Sequence, residues 1–221
     1  MRTTTISRVG AVAAAVALLV SISPGAAQAA RPDPTAAAVA RIVNGGYTPA
    51  DIALVKQDPV LASQVPDPTA PVETSAESSA GLKPASATDA PSATVAETDS
   101  SVALLATTYC GEWVRVTYTK KSLTGSIIYK YAQYVQYCRN GSIVTKFESR
   151  YDYLAQSSSV VYWREAVVNK YGSVGTYAAW SHFQRHIEYC TVKIACYANT
   201  YPWIKITVKA NGTYTYTGSA G

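Results

Sequence analysis

The residues whose types and spacing could support metal or acid–base chemistry lie in the run Ser181-His182-Phe183-Gln184-Arg185-His186-Ile187-Glu188. If the run is a strand, His182, His186 and Glu188 project from one face, where they could hold zinc or set an acid beside a base. The plainer reading is a solvated polar face opposite buried Phe183, Ile187 and Tyr189, and it is the expectation here, because two histidines make a sparse ligand set. Glycoside cleavage needs two converging carboxylates. The last 116 residues, Ala106 to Gly221, offer only Glu112, Glu148, Asp152, Glu165 and Glu188, and nothing in their spacing brings two together. There is no Gly-x-Ser-x-Gly elbow, no P-loop, no Rossmann glycine pattern and no EF-hand. No catalytic residue, metal or cofactor is assigned, and the chain reads as a non-enzyme, with an unrecognised secreted hydrolase as an alternative.

Aromatic residues are the better lead. All four tryptophans, both phenylalanines and sixteen of the seventeen tyrosines fall after residue 105. Tyr129, Tyr131, Tyr134 and Tyr137 crowd one segment, and Tyr197, Tyr201, Trp203, Tyr214 and Tyr216 crowd the last hairpin. Such rings stack on sugars or bases through flat apolar faces with a polar tip; they also serve as ordinary sheet filler. From Trp203 to Ala210 the side chains alternate, with Ile204, Ile206, Val208 and Ala210 on one face and Trp203, Lys205, Thr207 and Lys209 on the other. The expected binding surface is therefore Trp203, Lys205 and Lys209 with Tyr201 and Tyr214.

The same alternation recurs in Trp113 to Tyr118 and in Ile143 to Glu148, while Ile127 to Tyr137 and Val160 to Val168 are apolar on both faces, as interior strands are. Turn signals separate these runs, and Asn140-Gly141 and Asn211-Gly212 suit type I′ hairpins. About seven strands at this spacing predict an all-β domain, an immunoglobulin-like or related antiparallel β-sandwich. Its four cysteines imply two disulfides. Three pairings are possible; the local one, Cys110 with Cys138 and Cys190 with Cys196, is expected, and Cys138 with Cys190 is the rival. Oxidised cysteines are not nucleophiles.

Before residue 106 the composition changes. Arg2 and Arg8, the apolar run Ala11 to Val20 and Ala27-Gln28-Ala29 make a Sec-type signal peptide over residues 1–29. The apolar run is shorter than the roughly 18 residues that cross a bilayer, so no integral membrane segment is expected and the mature protein is expected to be secreted. Residues 30–65 carry helical periodicity, with Thr48 as N-cap before Pro49 and another start at Asp58-Pro59. Residues 66–105, a Pro/Ala/Ser/Thr tract without an aromatic, read as a disordered linker because they bury too little to offset the entropy of ordering. Short isolated helices are marginal in water, so this leader is expected to be a spacer that touches nothing; the alternative is a prosegment that docks on the domain and is later removed. Charge divides the same way: residues 30–105 carry four Lys/Arg against nine acids, and residues 106–221 carry thirteen against five. A basic domain favours anionic partners.

Tyr137-Cys138-Arg139-Asn140-Gly141, Tyr201-Pro202-Trp203 and Asn211-Gly212-Thr213, behind an alanine-rich signal and a Pro/Ala linker, resemble small secreted β-proteins of actinobacteria. The resemblance implies a Gram-positive exporter and an all-β fold, and it supplies no catalytic residues. Residue by residue, the expectation is a secreted binding module for a cell-envelope or extracellular polymer, a glycan or a polyanion, with nucleic acid disfavoured. A secreted inhibitor or toxin-like protein acting on another protein is the rival outside catalysis.

Overall fold

The structure, a computed structural model, describes residues 33–79, 81–84, 108–191 and 195–221. The expected signal peptide and residues 85–105 of the expected linker lie outside the described residues. The described residues all belong to one compact unit.

Three short helices open it: α1 (Pro34–Val43), α2 (Pro49–Lys56) and α3 (Pro59–Ala62). Each begins with proline behind a capping side chain, Asp33, Thr48 or Asp58, which satisfies amide groups the first turn leaves open. At α2 the cap is reciprocal: Thr48 Oγ1 accepts from the Asp51 amide at 3.3 Å, and Asp51 Oδ2 accepts from the Thr48 amide at 2.8 Å.

Among the described residues ten strands follow: β1 (Glu73–Ser78), β2 (Lys83–Pro84), β3 (Tyr109–Lys121), β4 (Ile127–Arg139), β5 (Val144–Ser157), β6 (Val161–Gly172), β7 (Ala178–Thr191), β8 (Ala195–Thr200), β9 (Trp203–Lys209) and β10 (Thr213–Ser219). They build two sheets, ordered β1-β3-β4-β5 and β2-β10-β9-β7-β6, with β8 also paired to β7. Every pairing is antiparallel except the two-residue contact of β2 with β10. The expected antiparallel β-sandwich is present, with eight strands after residue 105 in place of about seven. The additional strand arises at Pro202: the first half of the long β7 pairs with β9 and its last residues with β8, and a proline between them cannot donate to a ladder.

The core follows the alternation. Val114 and Val116 of β3, Ile128 and Val135 of β4, Ile187 of β7 and Ile204, Ile206 and Val208 of β9 are fully buried, together with Tyr129, Tyr131 and Tyr137. Between the sheets Asp152 of β5 takes a two-pronged contact from Arg185 of β7, at 2.9 Å and 2.5 Å, and accepts from the Tyr131 hydroxyl at 3.0 Å. The disulfides are Cys110–Cys138, linking β3 to β4, and Cys190–Cys196, linking β7 to β8. This is the local pairing.

Three expectations need correction. The leader is not a spacer that touches nothing. Ala38, Val39, Ile42, Val55, Leu61, Ala62 and Val65 form a second core with Leu123 from the β3–β4 turn, and Tyr197 of β8 packs against it. The Tyr197 hydroxyl donates to the Gln64 carbonyl at 2.9 Å, and the Leu123 amide donates to the Val65 carbonyl at 3.0 Å. Nor are the residues expected to be a disordered linker without order throughout. Glu73–Ser78 runs along the open edge of β3, from Glu73 opposite Thr119 to Ser78 opposite Val114. Glu73 pairs with Lys121 and Glu77 with Arg115. Composition counts the apolar surface a segment can bury; it does not see a free strand edge that supplies main-chain partners. Lastly, the Asn-Gly turns are not type I′, which needs positive φ at both positions. Gly141 (φ 86°) and Gly212 (φ 83°) have it, but Asn140 and Asn211 do not. The asparagine side chains instead accept from nearby amides: Asn140 from Ser142 and Ile143, and Asn211 from Thr213.

Candidate functional site

Antiparallel register places the candidate residues on the outer face of the larger sheet. In β9 the inward positions are buried and Trp203, Lys205, Thr207 and Lys209 face out. On β7 the outward positions include Trp180, His182 and Gln184. Cross-strand pairing sets Gln184 beside Trp203, His182 beside Lys205 and Trp180 beside Thr207. On the far side of β7, Lys170 of β6 lies opposite His182 and Gly172 opposite Trp180. Thr215, Thr217 and Ser219 of β10 border β9 with hydroxyls.

The aromatic groups on this face are packed against specific neighbours. Trp180 leans over Gly172, where a Cβ would come within 2.8 Å of Trp180 Cζ2. The Lys205 ammonium stands 4.9 Å from the Trp180 ring centre, a cation–π contact. His182 meets Trp203 edge-on, with ring centres 5.5 Å apart. Burial lowers the pKa of His182 below the ordinary imidazole value, and the charges of Lys205 and Lys170 lower it further. Among the described residues Lys170, Lys205 and Lys209 form no ion pair.

No protein family, curated protein or solved structure matches this chain. The site is therefore read from its geometry.

Of the five expected binding residues, Trp203, Lys205 and Lys209 share this face. Tyr201 is exposed just before β9 and stacks on His186, with ring centres 5.2 Å apart and planes 16° from parallel. Tyr214 is corrected: it lies opposite Val208 on the inward side and belongs to the core at 3% exposure, so it has no ring face to offer a ligand. Its place in a hairpin beside exposed threonines gave no hint of which way it points. Trp180, His182 and Lys170 are the additions. The sequence showed β6 only as the apolar run Val160 to Val168 and β7 only as the histidine-bearing run Ser181 to Glu188, and which residues stand beside Trp203 is fixed by pairing between distant segments.

The histidines and Glu188 do occupy one side of β7, but each is engaged separately. His186 Nε2 lies 2.7 Å from Asn199 Oδ1 and its Nδ1 lies 3.7 Å from Glu165, whereas Glu188 pairs with Arg164 at 2.5 Å. Among the described residues the only groups with ligand atoms close enough for a metal are built on disulfide cysteines, beside Glu148 or Glu188. Those sulfurs are already bonded to each other and are not thiolate ligands. The five carboxylates of the domain each face a different basic partner: Glu112 with Arg139, Glu148 with Lys146, Asp152 with Arg185, Glu165 with His186 and Glu188 with Arg164.

Two other features compete for attention. Across the outer face of the smaller sheet, Trp113, Tyr134, Tyr151 and Tyr153 form a row with ring centres 5.0 to 5.9 Å apart. Trp113, Tyr134 and Tyr151 are stacked within 25° of parallel, so they turn their faces toward one another and act as cross-strand packing. A cleft of about 460 Å³ lies at the seam between the helices and the sheets, lined by Ile42, Val43, Pro66, Pro68, Lys120 and Tyr201 among others. There the Lys120 ammonium donates to the Gly221 carbonyl oxygen at 2.7 Å.

Proposed function

We propose that this chain is a secreted, non-enzymatic binding module that holds an extracellular or cell-envelope polymer on the outer face of its larger sheet. The observation that carries this reading is the grouping of Trp180 and Trp203 with Lys170, Lys205 and Lys209, none of the lysines paired with an acid among the described residues. An open strand face suits an extended chain better than a small molecule, which is usually enclosed in a concave pocket. Trp180 and Trp203 are both only part-buried on this face, which leaves aromatic surface within reach of a ligand. The two disulfides fit an oxidising compartment, and among the described residues no helix is long and apolar enough to cross a membrane.

The test is retention of the mature chain on cell-wall sacculi and insoluble glycans across a salt series. The leader must be kept, because its strands complete both sheets. Retention is expected to weaken with salt as screening removes the charge contribution, and Trp203→Ala is expected to weaken it about tenfold at every salt concentration. Absence of retention on every polymer, or retention indifferent to Trp203→Ala, overturns the reading.

A further inference from the structure

Resting on that reading of the face, we infer that its ligand is a carboxylated polysaccharide and that His182 makes the capture proton-dependent. Charge pairing elsewhere on the molecule gives the first argument. Arg115, Lys121, Arg139, Lys146, Arg164 and Arg185 each face a carboxylate. Among the described residues after 107, Lys120, Lys130 and Arg150 lack one, Lys120 and Arg150 donating to carbonyl, hydroxyl or amide oxygens instead. Lys170, Lys205 and Lys209 lack one together, on the face that holds Trp180 and Trp203. A neutral glycan would gain nothing from them, while an anionic one supplies the missing partners.

Register gives the second argument. Lys170, His182 and Lys205 lie directly opposite one another on β6, β7 and β9, a row spanning two inter-strand spacings, about 10 Å. Like charges placed directly across strands work against the sheet. Protonating His182 sets a third positive charge directly between the two lysines, which is unfavourable for the fold alone and becomes favourable when acid groups of a ligand lie along the row. The groups that face His182 are Lys170 from β6, Lys205 from β9 and the Trp203 ring edge, and no carboxylate contributes to its titration.

The direction of the pH effect follows. In the free protein burial and the two lysines keep His182 neutral to a lower pH than an ordinary imidazole. A carboxylate set among the three groups favours the imidazolium and raises its pKa. Binding then takes up a proton at His182, so affinity rises as pH falls from about 7.5 to about 5.5, by at most about tenfold per pH unit for one proton. The ligand carboxylates stay ionised over that range.

The experiment titrates the mature chain with polygalacturonate, with its fully methyl-esterified form and with a single-stranded oligothymidylate, following tryptophan fluorescence from pH 5.5 to 7.5. Expected is binding of polygalacturonate at least tenfold tighter than of the ester, tightening several-fold toward pH 5.5. His182→Gln is expected to flatten that profile, and His186→Gln to leave the profile in place. Equal affinity for acid and ester overturns the carboxylate inference while leaving polymer binding standing. A pH profile that survives His182→Gln overturns the role of His182. Tighter binding of the oligonucleotide overturns the choice of polysaccharide. Failure to bind either pectin form, together with failure on sacculi, removes the polymer-binding reading itself.

Discussion

Asp152 is the only aspartate after residue 105, and it holds the two sheets together. Its side chain is 2% exposed and its partner Arg185 is 15% exposed. The guanidinium lies 4.3 Å from the ring centre of Trp163. Breaking a buried pair leaves one charge without compensation. Asp152→Ala is therefore expected to lower stability by about 3 kcal/mol, read as a reduced urea midpoint at unchanged slope. A second residue-scale prediction concerns Gly172, on which the Trp180 ring rests. Gly172→Ala puts a methyl group 2.8 Å from Trp180 Cζ2. The ring must move, so retention on the polymer is expected to fall several-fold with unchanged far-ultraviolet circular dichroism. At this scale the sequence was partly legible. Trp203, Lys205 and Lys209 share a face because alternation with Ile204, Ile206 and Val208 requires it. Tyr214 was not legible, since tyrosine suits a wet face and a core equally, and here Tyr129, Tyr131, Tyr137, Tyr189 and Tyr214 are all core.

Elements with strong local rules were readable one by one. Proline behind Thr48 or Asp58 fixes where α2 and α3 start, whatever the rest of the chain does. The docking of those helices depends on Leu123 and Tyr197, far away in sequence. The α1–α2 pair also depends on protonation. Asp51 is held well below the ordinary carboxylate range, chiefly by its hydrogen bonds from Arg41 and also by the Thr48 amide. A lowered carboxyl pKa stabilises the folded form above the ordinary value, and that contribution is lost as pH falls below it. Amide exchange in residues 33–65 is accordingly expected to accelerate as pH drops from about 5 toward 2, after correction for intrinsic rates and relative to the β3–β4 amides. Thr48→Ala, which removes the cap oxygen, is expected to weaken the same segment by about 1 kcal/mol at neutral pH.

Taken whole, the molecule depends on its leader at three places: the helical seam at Leu123 and Tyr197, the β1 pairing with β3, and the β2 contact with β10, where the Lys83 amide donates to the Gly212 carbonyl at 3.1 Å. A protease site engineered near residue 95 and then cut is expected to leave the two fragments co-eluting in gel filtration until denaturant is added. Residues 108–221 alone, with the β3 edge and Leu123 uncovered, are expected to self-associate. Separation of the cut fragments in native buffer would show that the leader contacts are too weak to hold. Among three possible disulfide pairings the sequence only favoured the local one that the structure shows; by itself it determined the sandwich class, the helix starts and the outward lysine–tryptophan face of β9. Each of these follows from period, spacing or a cap acting within a few residues. Only the tertiary structure decided that the leader completes both sheets, that Trp180, His182 and Lys170 join Trp203, and that Tyr214 turns inward. Those outcomes are set by which strand edge meets which segment, and pairing across long stretches of chain leaves no periodic trace in either partner.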